Sequence, residues 1–309
     1  MRVVNDREDP IEVKSVDIFA LISQMFLVSV GVATWVFSPM VMIYSHSRFS
    51  NPWSKIASLG GAVLALLFLE VPVSQVVIGF VVGLFVADSV ERQVKPFQML
   101  SQSLALALAV ALGCVVWGSL TQNKGISEFW MSWVSSLMEK LQVGNPIGQA
   151  MNWTALKDLI LFEGPFLYLS ATLMSIWIAL GSAAHFEWFK SSENIYCSGR
   201  LKSLQLPRWL NIAFVVSFVS TLVGRSNEQY VLGGIFRVLS GFMFIQGSVC
   251  LAVLLQQRNV RKGIRTLIYI VATVLGFYAL VGMGIMSPWI LRRNRISPQI
   301  LKENLEEQI

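Results

Sequence analysis

Long apolar runs separated by short polar segments form the main pattern along the chain. The clearest pair comprises the run Leu232 to Leu255 and the run Thr266 to Met286, which are joined by a basic turn. At about 1.5 Å per residue, each run is long enough to cross the roughly 30 Å core of a bilayer. The pattern therefore predicts two membrane-spanning helices in this part of the chain.

Six further apolar runs precede this pair, which gives about eight predicted spans. The first, Ile18 to Tyr44, is expected to bend at Pro39, because proline lacks a backbone donor. The others are Ile56 to Leu69, Val73 to Ala87, Met99 to Leu120, Gly164 to Ala184 and Trp209 to Val223. The second and third runs fall short of the usual 20 residues, so a hairpin, a re-entrant pair and one kinked element all fit them. We favour the hairpin, and we interpret Gly79 and Gly83 as a helix-packing surface.

Residues 121–162 break the apolar pattern. Trp130, Trp133 and Trp153 alternate with charged side chains, and the sequence Gly144-Asn145-Pro146 is typical of a turn. Because tryptophan favours the headgroup region, we predict two amphipathic helices lying on the membrane, with a folded lid as the alternative. The predicted order is a charged segment 1–17, transmembrane helices 18–120, the interfacial segment 121–162, transmembrane helices 163–291 and a charged tail 292–309.

Composition supports an all-α, polytopic transmembrane helical bundle. Hydrophobic residues make up 54% of the chain and charged residues 14%, whereas about a quarter of the residues of a soluble domain are charged. The mean hydropathy is +0.61. The net charge of +6 comes from Lys and Arg in short loops, where anionic headgroups attract them, so the lipid bilayer is the expected partner and nucleic acid is not. We expect a multi-pass protein of the cytoplasmic (inner) membrane.

The sequence contains no set of residues typical of an enzyme. It has no GxxxxGK[ST], HExxH, GxSxG or CxxC motif, and its two histidines, His46 and His185, lie at predicted span ends. We therefore predict no catalytic residues, no cofactor and no metal site. We interpret the three cysteines as small apolar residues and not as disulfide partners or metal ligands.

Four polar residues near the C-terminal spans are candidates for ligand binding or helix contact: Arg237, Gln246, Asn211 and Asn227. At about 100° per residue, Arg237 and Gln246 point to nearly opposite sides of one helix, so one ligand is not expected to contact both. Snorkelling to the headgroups is the alternative for Arg237, and interhelical hydrogen bonding is the alternative for Gln246.

The face that Arg237 shares carries small residues every seven positions, namely Gly234, Gly241 and Ser248. Small residues let helices approach closely, so this face is predicted to contact another helix. If Arg237 has an acidic partner, Glu228 is the candidate nearest in sequence.

Orientation does not follow from counting basic residues. With eight crossings, Lys and Arg divide 11 to 12 between the two sides, and this tie suggests that one run is re-entrant. We expect both termini, and with them the connector Gly224 to Gln229, to face the cytoplasm, because the mixed-charge N-terminal segment is unlike a signal peptide.

The C-terminal third resembles the YybS-like family of predicted bacterial membrane proteins. The resemblance rests on Pro207-Arg208-Trp209-Leu210-Asn211 at a span start, Gln246-Gly247 within the next span, and Gly282-Met283-Gly284 before Arg292-Arg293. Pro39 and the Gly79 to Gly83 run extend it to the N-terminal part. An acidic residue that the family often shows between the Gly284 and Arg292 positions is missing from this chain.

The resemblance implies a fold related to the S components of energy-coupling-factor transporters, which bind a small molecule and use an ATPase from separate subunits. An Ala-x-x-x-Ala surface for the partner subunit is lacking, since the first span offers only Ala20 with Gln24 and Ser29 with Ala33 at that spacing. The resemblance and the polar residues within the spans lead us to expect a small-molecule-binding transport component without its own ATPase, and the missing surface argues against coupling in the manner of the S components. The alternative is a membrane scaffold that positions other membrane proteins.

Overall fold

The computed structural model describes residues 18–49, 51–69, 71–143, 153–183, 201, 204–223 and 226–293. Within these ranges the long regular elements are all α-helices and no β-strand occurs, which confirms the predicted all-α fold. In chain order the helices are α1 (Ile18–Ala33), α2 (Ser38–Arg48), α3 (Asn51–Phe68), α4 (Val73–Glu91), α5 (Pro96–Thr121), α6 (Ile126–Val143), α7 (Trp153–Ala183), α8 (Arg208–Val223), α9 (Ser226–Gln257), α10 (Lys262–Leu275) and α11 (Phe277–Arg293).

Four of these helices, α4, α5, α7 and α9, are long and apolar enough to cross a membrane. Helices α10 and α11 make a fifth candidate if the bent pair counts as one span, whereas α1, α3 and α8 are apolar but shorter. By length and composition, the described chain has the helices of a multi-pass membrane protein. Fewer helices pass than the eight apolar runs, because several runs are divided or short.

The single bent first span predicted from the sequence is wrong, since the run is divided into two helices that fold back on each other. Helix α1 ends at Ala33 and α2 begins at Ser38. Gly31 lies against Val41, which is possible only if the two helices turn back sharply. Pro39 lies in the first turn of α2, where its missing N–H group is not needed. The proline thus begins a second helix instead of bending the first.

The α1–α2 hairpin packs against α4 through the two glycines of that helix. A Cβ atom on Gly79 would lie 2.7 Å from the Val32 carbonyl oxygen, and one on Gly83 would lie 3.1 Å from that of Ser38. This close approach supports the packing interpretation of the glycine pair. At the base of the hairpin, His46 Nδ1 of α2 lies 3.3 Å from a carboxylate oxygen of Glu91 at the end of α4.

Helix α7 begins at Trp153, eleven residues before the predicted start at Gly164, and continues through Pro165. A proline has no N–H group, so inside a helix the carbonyl four residues earlier loses its usual donor. For Pro165 this is the carbonyl of Leu161. The indole Nε1 of Trp130 on α6 donates a hydrogen bond to that oxygen at 3.1 Å. The helix therefore continues where the sequence predicted a start, because a side chain from α6 replaces the missing donor.

The last predicted span, Thr266 to Met286, is also divided. Helices α10 and α11 meet at Gly276 with a bend of 102°. Helix α11 crosses α9 through a reciprocal glycine contact, in which Gly247 faces the Leu280 carbonyl and Gly284 faces the Met243 carbonyl. Such a crossing brings two backbones together and fixes α11 against the middle of α9.

Candidate functional site

The predicted contact face of α9 meets α7. Gly234 lies against the ring of Phe166, and Gly241 lies against Ser170. Seven residues after Gly241 on α9, Ser248 Oγ accepts a 2.7 Å hydrogen bond from the indole Nε1 of Trp177 on α7. These contacts confirm the prediction from the seven-residue spacing. Because they advance in the same direction along both helices, α7 and α9 are parallel.

Arg237 forms an ion pair with Glu163 of α7. The arginine side chain is 38% exposed and the glutamate side chain 15% exposed, so the pair is partly desolvated. The partner predicted from sequence proximity, Glu228, has a side chain outside the described residues. No spacing rule could have found Glu163, because it lies on a different helix and meets Arg237 only through the parallel packing of α7 and α9.

Gln246 binds the backbone of the segment that precedes α8. Its Oε1 accepts a hydrogen bond from the Leu206 N–H at 2.9 Å, and its Nε2 donates to the Leu204 carbonyl at 3.4 Å. Residues 204–207 are not helical, and their backbone groups need partners inside an apolar bundle. Gln246 supplies both kinds of partner, so its predicted hydrogen bonding goes to a non-helical segment instead of another helix.

The two asparagine candidates are less informative. Asn211 is half-buried in the first turn of α8, and Asn227 lies at the start of α9 with its side chain outside the described residues. As predicted from the helical geometry, Arg237 and Gln246 have separate partners. The structure therefore brings none of the four candidates into a common site that it describes.

The tip of the α1–α2 hairpin, residues 34–37, is held by polar side chains from two other helices. Gln75 of α4 donates a hydrogen bond to the Ala33 carbonyl, and Ser175 of α7 donates one to the Val36 carbonyl. The ring of Trp35 packs at 5.0 Å from that of Tyr168. This site was not predicted, because Pro39 in the run from Ile18 to Tyr44 was interpreted as a bend within one span and not as part of a turn.

Three places where a helix is interrupted contact α7 and α9 at the same height along these two helices. The hairpin tip binds Ser175, the non-helical segment 204–207 binds Gln246, and the α10–α11 pair approaches at Gly247 and Ser248. At the last of these contacts, the Tyr269 hydroxyl of α10 donates a 3.1 Å hydrogen bond to the Ser248 carbonyl. We name the side chains that join these breaks the polar layer: Gln75, Ser175, Trp177, Gln246 and Ser248.

The surroundings of the hairpin tip are uncharged and closed. The tip and its neighbours on α4 and α7 leave no room for a water molecule between them; the facing residues are Trp35, Pro39, Ile78, Gly79, Val82, Tyr168, Thr172 and Ser175. Among the described residues, no group of three His, Cys, Asp or Glu side chains could hold a metal ion. The chemistry available at the tip is therefore hydrogen bonding and aromatic contact.

By length and composition the described helices are those of a helical multi-pass membrane protein, and several of the apolar runs are interrupted. No family model matches the chain, and neither does any curated protein or solved structure.

Proposed function

We propose that this chain is a small-molecule-binding component of a membrane transport system, without an ATPase of its own. The observation that carries the proposal is the meeting of three backbone breaks at the polar layer. In transporters, discontinuous helices leave backbone groups and side chains available for substrate near the middle of the bilayer. An irregular backbone is tolerated at that depth only where it is buried in protein or lines a cavity.

The spacing of charges along α9 supports a position of the polar layer within the bilayer core. Arg237 and Arg258 are 21 residues apart, which corresponds to about 31 Å of helix and matches the thickness of the hydrocarbon core. Gln246 and Ser248 lie about halfway between these two arginines. Arg208 is exposed only two residues after Leu206, and a charge at such a depth is tolerated mainly where it faces water or an anionic group. These positions support a water-filled path that reaches the layer.

The hairpin tip has two features of a moving element. Trp35 has a φ of 37°, a left-handed conformation that is strained for a bulky side chain, and such strain clusters at binding and switch regions. Ser38 is buried beside Gly83, and its hydroxyl has no hydrogen-bond partner among the described residues. Displacement of the tip would relieve the strain and open the closed contact to a ligand. The absence of charged side chains around the tip favours an uncharged molecule there.

The resemblance to the YybS-like family, and through it to S components, is part of the same proposal. Such components bind their ligand within a helical bundle and take energy from separate ATPase subunits. The sequence carries no nucleotide-binding loop, so an energised transport step would need a partner ATPase. The span number, predicted as about eight, also belongs to this proposal: α3, α8 and the α10–α11 pair would cross beside the four long helices, which makes seven crossings.

Thiol labelling tests the water-filled path. In a chain whose native cysteines are replaced by alanine, Arg208→Cys should react with a membrane-impermeant maleimide in proteoliposomes oriented both ways. Val215→Cys on the same helix is exposed to the apolar surroundings and serves as the matched control. Equal protection of both positions would contradict the path.

Ligand binding is tested by thermal unfolding of the purified chain against a library of metabolites. A ligand that binds only the folded protein stabilises it by about 2.7 kcal/mol at a concentration 100 times its Kd. Tyr168→Phe should weaken this stabilisation, whereas Tyr278→Phe, whose side chain is 86% exposed, should leave it unchanged. If no compound stabilises the chain and a protein co-purifies with it instead, the scaffold function is supported.

The scaffold alternative is favoured by one observation on α6. Trp130 of this helix is bound to α7, but Ile126, Met131 and Trp133 are exposed. An exposed group of large apolar side chains is typical of a surface that meets lipid or another protein. The two functions differ in what they bind, so the thermal-unfolding experiment and the co-purification experiment distinguish them.

A further inference from the structure

A groove runs along α4 between α3 and α5, apart from the polar layer. Its volume of about 330 Å³ is at the lower end of the range for ligand pockets. Its apolar lining comes from α4 and α5: Phe80, Val81, Leu84, Phe85 and Leu106. Lys55 of α3 and Asp88 of α4 complete the lining. The groove thus has apolar walls and charged groups in its lining.

The charges of the groove favour an anion. Asp88 already has a partner, since its carboxylate lies 3.0 Å from Arg92 Nε one helical turn along α4. Lys55 is exposed in the second turn of α3 and contributes a further positive charge. Together the three side chains carry a net charge of +1, which matches one phosphate group.

The charged and apolar parts follow one another along α4. Asp88 lies one turn before the end of the helix, and Phe80 lies eight residues deeper, a distance of about 12 Å. A ligand with its anion at Lys55 would therefore extend an apolar body along the helix toward its middle. Because α4 is a membrane-crossing candidate, this body would lie within the hydrocarbon region.

We propose that this groove binds a glycerophospholipid, with the phosphate at Lys55 and one acyl chain along α4. A phosphate attached to a long apolar chain satisfies both parts of the groove at once. An apolar helix of a partner protein would fill the walls but would leave the charge at Lys55 without a counterion. The site is separate from the proposed small-molecule site at the hairpin tip, and neither proposal depends on the other.

Native mass spectrometry of the full chain in mild detergent tests the role of the charge. After incubation with phosphatidylglycerol, the wild-type chain should retain one phospholipid. Lys55→Glu should lower its apparent affinity by roughly tenfold or more, whereas Lys55→Arg should retain it. Diacylglycerol, which has the chains without the phosphate, should be retained much less than phosphatidylglycerol.

A second pair of variants tests the apolar walls. Leu84→Trp should fill the groove and exclude the lipid, while Val216→Trp on the exposed surface of α8 lies outside the lining and should not. If Leu84→Trp does not fold, the Lys55 variants and the diacylglycerol comparison decide alone. Equal retention by Lys55→Glu and the wild type, equal retention of diacylglycerol, or a second protein chain in place of the lipid would overturn the proposal.

Discussion

Gln246 accepts a hydrogen bond from the backbone N–H of Leu206 at 2.9 Å and also donates to the carbonyl two residues earlier. One buried side chain thereby replaces the backbone partners that a helix would have supplied. The side chain of Gln246 is 3% exposed, so water cannot take over this role. The same solution recurs at the hairpin tip with Gln75 and Ser175.

Removal of the Gln246 amide should therefore destabilise the bundle. Gln246→Leu leaves the Leu206 N–H and the Leu204 carbonyl without a partner, at about 1–3 kcal/mol for each buried group. Gln205→Leu makes the same chemical change at an exposed position of the non-helical segment and should have a small effect. Thermal unfolding in detergent compares the two variants, and equal midpoints would contradict the assigned role.

The ion pair between Arg237 and Glu163 should contribute more than a surface pair and less than a fully buried one. Since the arginine is 38% exposed and the glutamate 15%, we expect Arg237→Leu to cost about 1–3 kcal/mol. The double variant with Glu163→Gln should cost less than the sum of the single changes, because no charge is left without a partner. A double-mutant cycle of unfolding free energies measures this coupling, and strict additivity would show that the two side chains act independently.

The glycine crossing of α9 and α11 should not tolerate a methyl group. A Cβ atom at Gly247 would overlap the Leu280 carbonyl, and one at Gly284 would overlap the Met243 carbonyl. Gly247→Ala and Gly284→Ala should each destabilise the fold by about 1–3 kcal/mol or more, because overpacking forces two backbones apart. Gly282→Ala is the matched control on α11, since no atom lies within 4 Å of the added group. A stable Gly247→Ala protein would mean that the crossing is looser than described.

The sequence predicted helices well where the apolar run has polar residues at both ends. The predicted span Met99 to Leu120 corresponds to α5, and the seven-residue spacing on α9 identified the face that meets α7. The breaks were not predictable in the same way. An apolar run such as Ile18 to Tyr44 has the same hydropathy whether it crosses or turns back. The turn depends on Gln75 and Ser175, which the chain brings to it from other helices.

For a related reason, the positions of proline did not correctly predict where helices start or bend. Pro165 was expected at a helix start, but α7 passes through it because Trp130 donates to the carbonyl that the proline leaves free. Pro39 was expected to bend a span, but it begins α2. In both cases the outcome depends on side chains elsewhere in the fold, which a local pattern does not contain.

Contacts between helix ends define two sides of the bundle. Since His46 of α2 meets Glu91 of α4, the α2–α3 and α4–α5 turns lie on one side. The opposite end of α5 contacts α6 through Gly118 and Phe129, and α6 binds the beginning of α7 through Trp130. Helices α7 and α9 begin on that second side and, being parallel, both end on the first. Helix α2 ends on the first side, and because the hairpin turns back at residues 34–37, α1 begins on that side as well.

This arrangement shifts the distribution of positive charge toward the first side. Among the described residues, eight Lys and Arg flank the helices on the first side: Arg48, Lys55, Arg92, Lys95, Arg258, Arg261, Lys262 and Arg265. Six flank them on the second side: Lys124, Lys140, Lys157, Arg237, Arg292 and Arg293, the last two because α11 runs antiparallel to α9. Because short cytoplasmic loops carry the excess of positive charge, the first side should face the cytoplasm. The connector between α8 and α9 would then face outward, the reverse of the expectation from the sequence.

Cysteine labelling at the two ends of α5 tests this orientation in intact cells. Lys95→Cys and Lys124→Cys replace exposed lysines just outside the same 26-residue helix. In a chain without native cysteines, an impermeant maleimide added outside should label Lys124→Cys and leave Lys95→Cys unlabelled until the cells are opened. The pair controls for expression and reactivity, because both sites lie in short polar turns next to one span. Labelling of Lys95→Cys from outside would reverse the orientation, and labelling of both positions in intact cells would show that α5 does not cross the membrane.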